Sequence, residues 1–346
     1  MRYFKLLYLG LGVALLAVVL REIDLADALA KTSQIGWGLA LVLLAYSVTF
    51  FIDALTWLMA LPSIPVTKRW LGHFLRVRLV GEAFNAVLPA GGMGGDPIKA
   101  ALLKRHYGIN YRDGIASVVL GKTANMLSLI LFTAIAFALM FESDQLGRNY
   151  KILAAVGFAA FCLGTLLFYA LQRYKWSSAI GSWLNRRGST SGRKLAKPGR
   201  KLAEIIDHIH AVEDQFIHYY TAHTSRMGLT IILSAVAWLF GAVEIYIAFY
   251  FLGHPISLGD ACIIEAVTQM VRAGTFFIPA NLGAQEGAMV VISAALTGSP
   301  TLGVANAIIR RVRELIWIIM GYAAGAHFSI AAARHDLEEI ESGEPD

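Results

Sequence analysis

The chain has 346 residues, of which 57% are hydrophobic and only 16% charged, with a formal net charge of +6 and a mean hydropathy of +0.58. Soluble domains carry roughly a quarter charged residues, so a water-soluble globule is excluded and the composition is that of a polytopic integral membrane protein. Cys162 and Cys262 form no CxxC and lie in apolar sequence, so redox or zinc chemistry has no sequence support.

In chain order, apolar runs that approach or exceed the ~20 residues needed to cross a bilayer predict six full spans: 4–20, 36–61, 115–141, 152–171, 227–252 and 303–332. The first is read as an uncleaved helix. Its nearest small-residue site, Ala28-Leu29-Ala30, lies too far beyond the run, across the charged stretch REIDLAD. Between residues 172 and 201 stand nine Lys and Arg and no acid, which places that loop in the cytoplasm. Alternation from there puts 104–113, Lys68-Arg69 and both termini on the same side. After the basic linker, Leu202, Ile205, Ile206, Ile209, Val212, Phe216 and Tyr220 recur at helical spacing, as in a helix lying on the membrane surface. The acidic tail 334–346 is expected to be disordered. Residues 1–333 read as a single integral membrane domain, with the linker and surface helix at 172–226.

Two stretches interrupt the grease. Four glycines and two prolines fall between Pro89 and Pro97, with Asp96 among them, and PANLGAQEG begins at Pro279. An offset of 190 superposes Pro89 on Pro279, Ala90 on Ala280, Asp96 on Glu286 and Gly108 on Gly298. It also carries the span at 36 onto the one at 227, and 115–141 onto the last span. The sequence thus reads as an internal repeat, at about 36–141 and 226–332. The charge pattern gives the two copies opposite senses. Segments 70–113 and 259–302 are then re-entrant helical hairpins entering from opposite faces, an inverted-topology repeat. Non-helical backbone at membrane depth persists only where it lines a cavity or packs inside protein. Asp96-Pro97 reads as the N-cap and first residue of a short helix, and Gln285-Glu286-Gly287 as the start of its counterpart. Such helix ends can hold a phosphate, so Gly94 and Gly95 are candidates for close approach by a ligand or, alternatively, for tight helix packing.

Twelve ionisable residues fall in or beside the spans: Asp53, Arg76, Arg78, Glu82, Lys122, Glu244, Glu265, Arg272, Arg310, Arg311, Arg313 and Glu314. A charge at mid-bilayer costs roughly 2.5–3.5 kcal/mol on insertion scales, so these side chains should face a cavity or one another. Arg78 and Glu82, and likewise Arg310 and Glu314, are one helical turn apart and suited to local pairing. The offset also sets Glu82 opposite Arg272 and Arg76 beside the counterpart of Glu265, which predicts two ion pairs between the hairpins, serving as locks or as gates. Basic residues outnumber acids seven to five in this set, favouring an anionic headgroup. Asp53 and Glu244 are candidates for proton coupling or for countering an arginine.

The run RLVGEAFNAVLPAGGMGGDPIKAALLKRHYG, the later IPANLGAQEG and the RRVRE span resemble the lysylphosphatidylglycerol synthase transmembrane region family, also called flippase-like. The resemblance covers about residues 5–330. It implies substrate-binding roles for Gly81, Glu82 and Asn85, for Pro89, Gly94, Gly95 and Asp96, and for Pro279, Gly283 and Glu286. A basic position follows in each half: Lys122 in the first and Arg310 or Arg311 in the second. The synthases carry an aminoacyl-transferase domain where this chain has a tail of about a dozen residues, six of them acidic, so the resemblance is to stand-alone members, some associated with hopanoid or glycolipid pathways. It implies a bacterial inner-membrane protein that moves or presents lipids with anionic or phosphate-bearing headgroups. The reading is a lipid transporter rather than an enzyme, with membrane lipids and lipid-biosynthetic enzymes as partners and no nucleic acid, cofactor or metal. The alternatives are a lipid or glycolipid headgroup transferase using Asp96 or Glu286 as base, and a non-catalytic scaffold for lipid-modifying enzymes.

Overall fold

The computed structural model describes residues 30, 32–87, 94–142, 146–173, 219, 221–276, 278 and 281–342. The expected first span at 4–20, the linker and surface helix up to residue 218, Pro89 and Pro279 lie outside the described residues. Within them the structure is all-helical: α1 (Gly38–Met59), α2 (Lys68–Val87), α3 (Asp96–Tyr107), α4 (Tyr111–Glu142), α5 (Arg148–Arg173), α6 (Thr224–Phe251), α7 (Leu258–Gly274), α8 (Ala284–Thr297) and α9 (Pro300–Ser342).

Four of these, α1, α4, α5 and α6, are long and apolar enough to cross a membrane, with mean hydropathies of 2.0 to 2.2 over their best windows. The protein is therefore a multi-pass membrane protein. Helix α5 makes the case most directly, because only 11% of its apolar window is buried. Leu153, Val156, Leu163, Leu166 and Leu167 point outward, an arrangement that water would penalise and lipid tails welcome. Helix α9 spans 43 residues but carries Arg310, Arg311, Arg313 and Glu314 in its first half. It also runs to Ser342, so the acidic segment expected to be disordered from residue 334 continues the helix as far as that residue. A helix already formed propagates at little cost, and DLEEIES contains neither proline nor glycine.

Local chemistry sets the breaks. Pro62 and Pro65 follow α1 and prevent its continuation. Helices α3 and α8 both end at a left-handed glycine, Gly108 at φ 67° and Gly298 at φ 72°. Ser257 and Asp260 form a capping box at the start of α7, the Asp260 amide donating to Ser257 Oγ at 3.0 Å. The 190-residue offset carries Lys68 onto Leu258 and Tyr107 onto Thr297. Helices α2 and α3 thus begin and end within three residues of α7 and α8 after the shift. The packing partners correspond as well: α1 lies along α6, α2 packs on α9 and α7 on α4, while α3 packs on α4 and α8 on α9.

The largest apolar core joins residues of α1, α4, α6, α7, α8 and α9, including Val42, Phe132, Phe249, Ile264 and Ile309. A second cluster, built on Trp57, Phe74 and Leu103, ties α1 to α2 and α3.

Candidate functional site

The first cluster surrounds a cavity of about 200 Å³ among α1, α2, α3 and α4. Helix α1 supplies Asp53, α2 supplies Arg78, Glu82 and Asn85, α3 supplies Lys99, and α4 supplies Lys122 and Asn125. Arg78 Nη2 donates to Asp53 Oδ2 at 2.7 Å, and its guanidinium lies 4.9 Å from the centre of the Phe50 ring. Asn85 links the elements: its Nδ2 donates to Glu82 at 3.4 Å, and its Oδ1 accepts from the Gly95 amide at 2.7 Å. Asp96, buried at the start of α3, accepts from Lys99 at 3.2 Å on one carboxylate oxygen and pairs with Lys122 on the other.

Sequence reasoning made Asp96 the N-cap. In the structure Gly95 holds that position, Asp96 is the first helical residue, and no side chain caps the end. Two ammonium groups are stronger partners for a carboxylate than a backbone N–H, and they take both oxygens. Gly95 has a packing role: a Cβ there would sit 1.9 Å from the Gly81 carbonyl oxygen, so α2 and α3 touch backbone to backbone. Gly81 in turn accommodates the aliphatic stem of Lys99. Lys99 is absent from the sequence-predicted site. Its only signal is the i, i+3 spacing from Asp96.

The second cluster joins α6, α7, α8 and α9. Arg310 donates to Glu265 at 2.7 Å, with both side chains almost wholly buried, and Gln269 donates to the other Glu265 oxygen at 2.6 Å. Arg313 pairs with Glu244 and stacks 3.9 Å from the centre of the Tyr46 ring on α1. Arg311 bridges Glu286 at 2.5 Å and Glu314 at 2.6 Å. Helix α8 begins at Ala284 rather than at Gln285. It follows Gly283, whose φ of 79° suits glycine, and the Gly283 amide donates to Glu286 at 2.8 Å. Of the two candidates for the basic position after this half-helix, Arg311 is the one that meets Glu286. The arrangement parallels Lys122 with Asp96.

Several expected pairings are replaced. Glu82 and Arg272 form no ion pair, and Glu265 is taken by Arg310 rather than Arg76, which lies exposed on α2. Arg78 chooses Asp53 over Glu82, and Glu314 pairs with Arg311 and Arg313 instead of Arg310. For Arg78 and Arg310 a contact across helices wins, because a neighbouring helix brings a whole side chain to face the guanidinium, whereas Glu314 keeps partners on its own helix, Arg311 and Arg313. Asp53 and Glu244, expected either to couple protons or to counter an arginine, each stand in an ion pair with one, Arg78 and Arg313 respectively. The count changes too: removing exposed Arg76 and adding Lys99, Asp96 and Glu286 leaves seven basic residues, Arg78, Lys99, Lys122, Arg272, Arg310, Arg311 and Arg313. Facing them are seven acids: Asp53, Glu82, Asp96, Glu244, Glu265, Glu286 and Glu314. The overall basic surplus disappears. On the cavity wall alone Arg78, Lys99 and Lys122 face Asp53 and Glu82, and Asp53 is committed to Arg78. Several donors, Arg78 Nε, Arg310 Nε and Nη1 and Arg313 Nε, are buried without a hydrogen-bond partner among the described residues.

The family model described as the lysylphosphatidylglycerol synthase TM region matches residues 5–321. A UPF0104 membrane protein from Methanothermobacter thermautotrophicus is 24% identical over 356 aligned residues, covering 98% of this chain and all of that protein. No solved structure matches significantly.

Proposed function

The chain belongs to the lysylphosphatidylglycerol synthase TM region family, and from that premise we propose that it is a lipid flippase-like transporter acting on a phosphate-bearing headgroup. The observation that carries this reading is the cavity between α1, α2, α3 and α4, polar inside a bundle whose outer surface is apolar. Its volume of about 200 Å³ is the space of roughly seven waters at ~30 Å³ each. That is room for a headgroup, with the acyl chains left in lipid. Two wall lysines and the amides of Asn85 and Asn125 supply donors for phosphate oxygens, while the glutamates of the second cluster are occupied by arginines.

The inverted repeat belongs to this proposal. Matching element boundaries and reciprocal packing of α2 on α9 and α7 on α4 support two halves of like fold. Opposite insertion would let one half rock against the other around the site. In this arrangement α2–α3 and α7–α8 are re-entrant hairpins and the last span lies in α9. Single cysteines at residues 109–112 are expected to react with a membrane-impermeant maleimide from the cytoplasm, and those at 298–301 only from outside. Labelling of both sets from one side would refute the inversion.

For transport itself, the purified protein is reconstituted into phosphatidylcholine vesicles carrying a fluorescent phosphatidylglycerol, and inner-leaflet probe is scored by its protection from dithionite. The expected result is faster transbilayer movement than in empty vesicles, largely lost in Lys122→Gln. A wild-type rate equal to that of empty vesicles, together with chemical conversion of the lipid, would favour the headgroup-transferase alternative.

A further inference from the structure

We infer, on the reading that this cavity takes a phosphate-bearing headgroup, that Asp96 is a resident counter-ion which the ligand's phosphate replaces at Lys99 and Lys122, and that Asp96 takes up one proton as the phosphate enters. Lys99 and Lys122 each hold one oxygen of the Asp96 carboxylate. Two ammonium groups that span two carboxylate oxygens also suit two oxygens of a phosphate. Both lysines line the cavity and Asp96 stands behind them, outside its lining. The same cations therefore face the resident anion on one side and the ligand space on the other.

The stems allow the exchange. Lys99 lies along Gly81, with its ammonium 6.0 Å from the centre of the Trp57 ring, so its aliphatic part is fixed while the flexible end can turn. Lys122 is the more exposed partner, its side chain 32% accessible. Once both ammonium groups turn to the phosphate, no other cationic side chain among the described residues is free to replace them at Asp96. From α2, Arg78 is committed to Asp53 of α1, and Glu82 adds negative charge; among the described residues Lys122 is the one charged side chain that α4 brings here, Asn85 and Asn125 being neutral. Asp96 is 8% exposed, and a carboxylate left in such a site without a partner is stable only when neutral. The exchange balances: one negative charge enters on the phosphate, one proton from the aqueous phase binds the Asp96 carboxylate, and the site's net charge is unchanged. Headgroup binding is thereby linked to pH through a residue that need not touch the lipid.

Isothermal titration of the purified full-length protein with dihexanoylphosphatidylglycerol, at pH 7 in two buffers of different ionisation heat, tests this without any variant. Uptake of about one proton per lipid bound is expected. Asp96→Asn, which keeps the shape and removes the competing charge, should take up none and bind about tenfold tighter or more. Lys99→Met, which keeps the stem, should weaken binding by about tenfold or more. Wild-type binding without proton uptake overturns the exchange. So does weaker binding by an Asp96→Asn protein that melts at the wild-type temperature. If neither dihexanoylphosphatidylglycerol nor inorganic phosphate binds the wild type at all, the phosphate-headgroup reading of the cavity falls instead.

Discussion

Replacing Gly95 by alanine, the smallest side chain available, is expected to lower the melting temperature of the purified protein and abolish lipid movement together. The new Cβ would lie 1.9 Å from the Gly81 carbonyl oxygen and 2.7 Å from its carbonyl carbon. No rotamer relieves a clash between two backbones, so α2 and α3 must separate. Overpacking of this kind typically costs about 1–3 kcal/mol and sometimes more. Separation would also break the Gly95 amide bond to Asn85 and move Asp96 away from Lys122. Gly157 on α5 supplies the control, since nothing lies within 4 Å of its added Cβ. Alanine there should be neutral or stabilise, because glycine in a helix interior costs roughly 1 kcal/mol relative to alanine. A Gly95→Ala protein that melts normally yet binds no lipid would assign this glycine to ligand approach and remove the packing account.

The second large effect is expected at Glu265 and Arg310. Their side chains are 1% and 3% exposed, so neither can recruit water if its partner is neutralised. Glu265→Gln or Arg310→Gln alone should destabilise by about 3–5 kcal/mol, the usual result of leaving one buried charge uncompensated. The double variant Glu265→Gln with Arg310→Met should recover most of that loss, because the penalty lies in the orphaned charge rather than in the missing attraction. Exposed Arg76→Gln sets the baseline, with a surface change expected to stay within about 0.5 kcal/mol. Thermal melts in detergent separate these cases. Single variants as mild as Arg76→Gln would show that the pair contributes little to holding α7 against α9.

These two results bear on how the halves divide their work. Both clusters place an acid in the first turn of a short helix, Asp96 in α3 and Glu286 in α8, and pair it with a basic residue on the next helix. In the first half the base is lysine, a point charge on a flexible stem. In the second it is Arg311, a planar fork that also holds Glu314. Lysines that can turn are suited to exchanging anions, and bridging arginines to holding helices in register.

The helices themselves were legible because membrane insertion is a problem of local composition: an uninterrupted apolar run must satisfy its own backbone whatever surrounds it. The predicted spans at 36–61, 115–141, 152–171 and 227–252 meet α1, α4, α5 and α6 within about four residues at each end. Glycines at 108 and 298, which the 190-residue offset matched only as repeat positions, end two helices for an equally local reason, since a left-handed residue strongly favours glycine. It was also local that Lys122, Arg311, Glu244 and Glu265 needed partners, because a charge inside a bundle cannot stay alone. Which partner each takes was not local. Arg78 had Glu82 one turn away and chose Asp53 on another helix; Arg310 passed over Glu314 for Glu265. Lys99 became a wall residue only because α3 packs between α2 and α4. Pairing depends on rotations and separations of helices distant in the chain, and those are decided by backbone contacts such as Gly95 on Gly81, which spacing along one sequence does not encode.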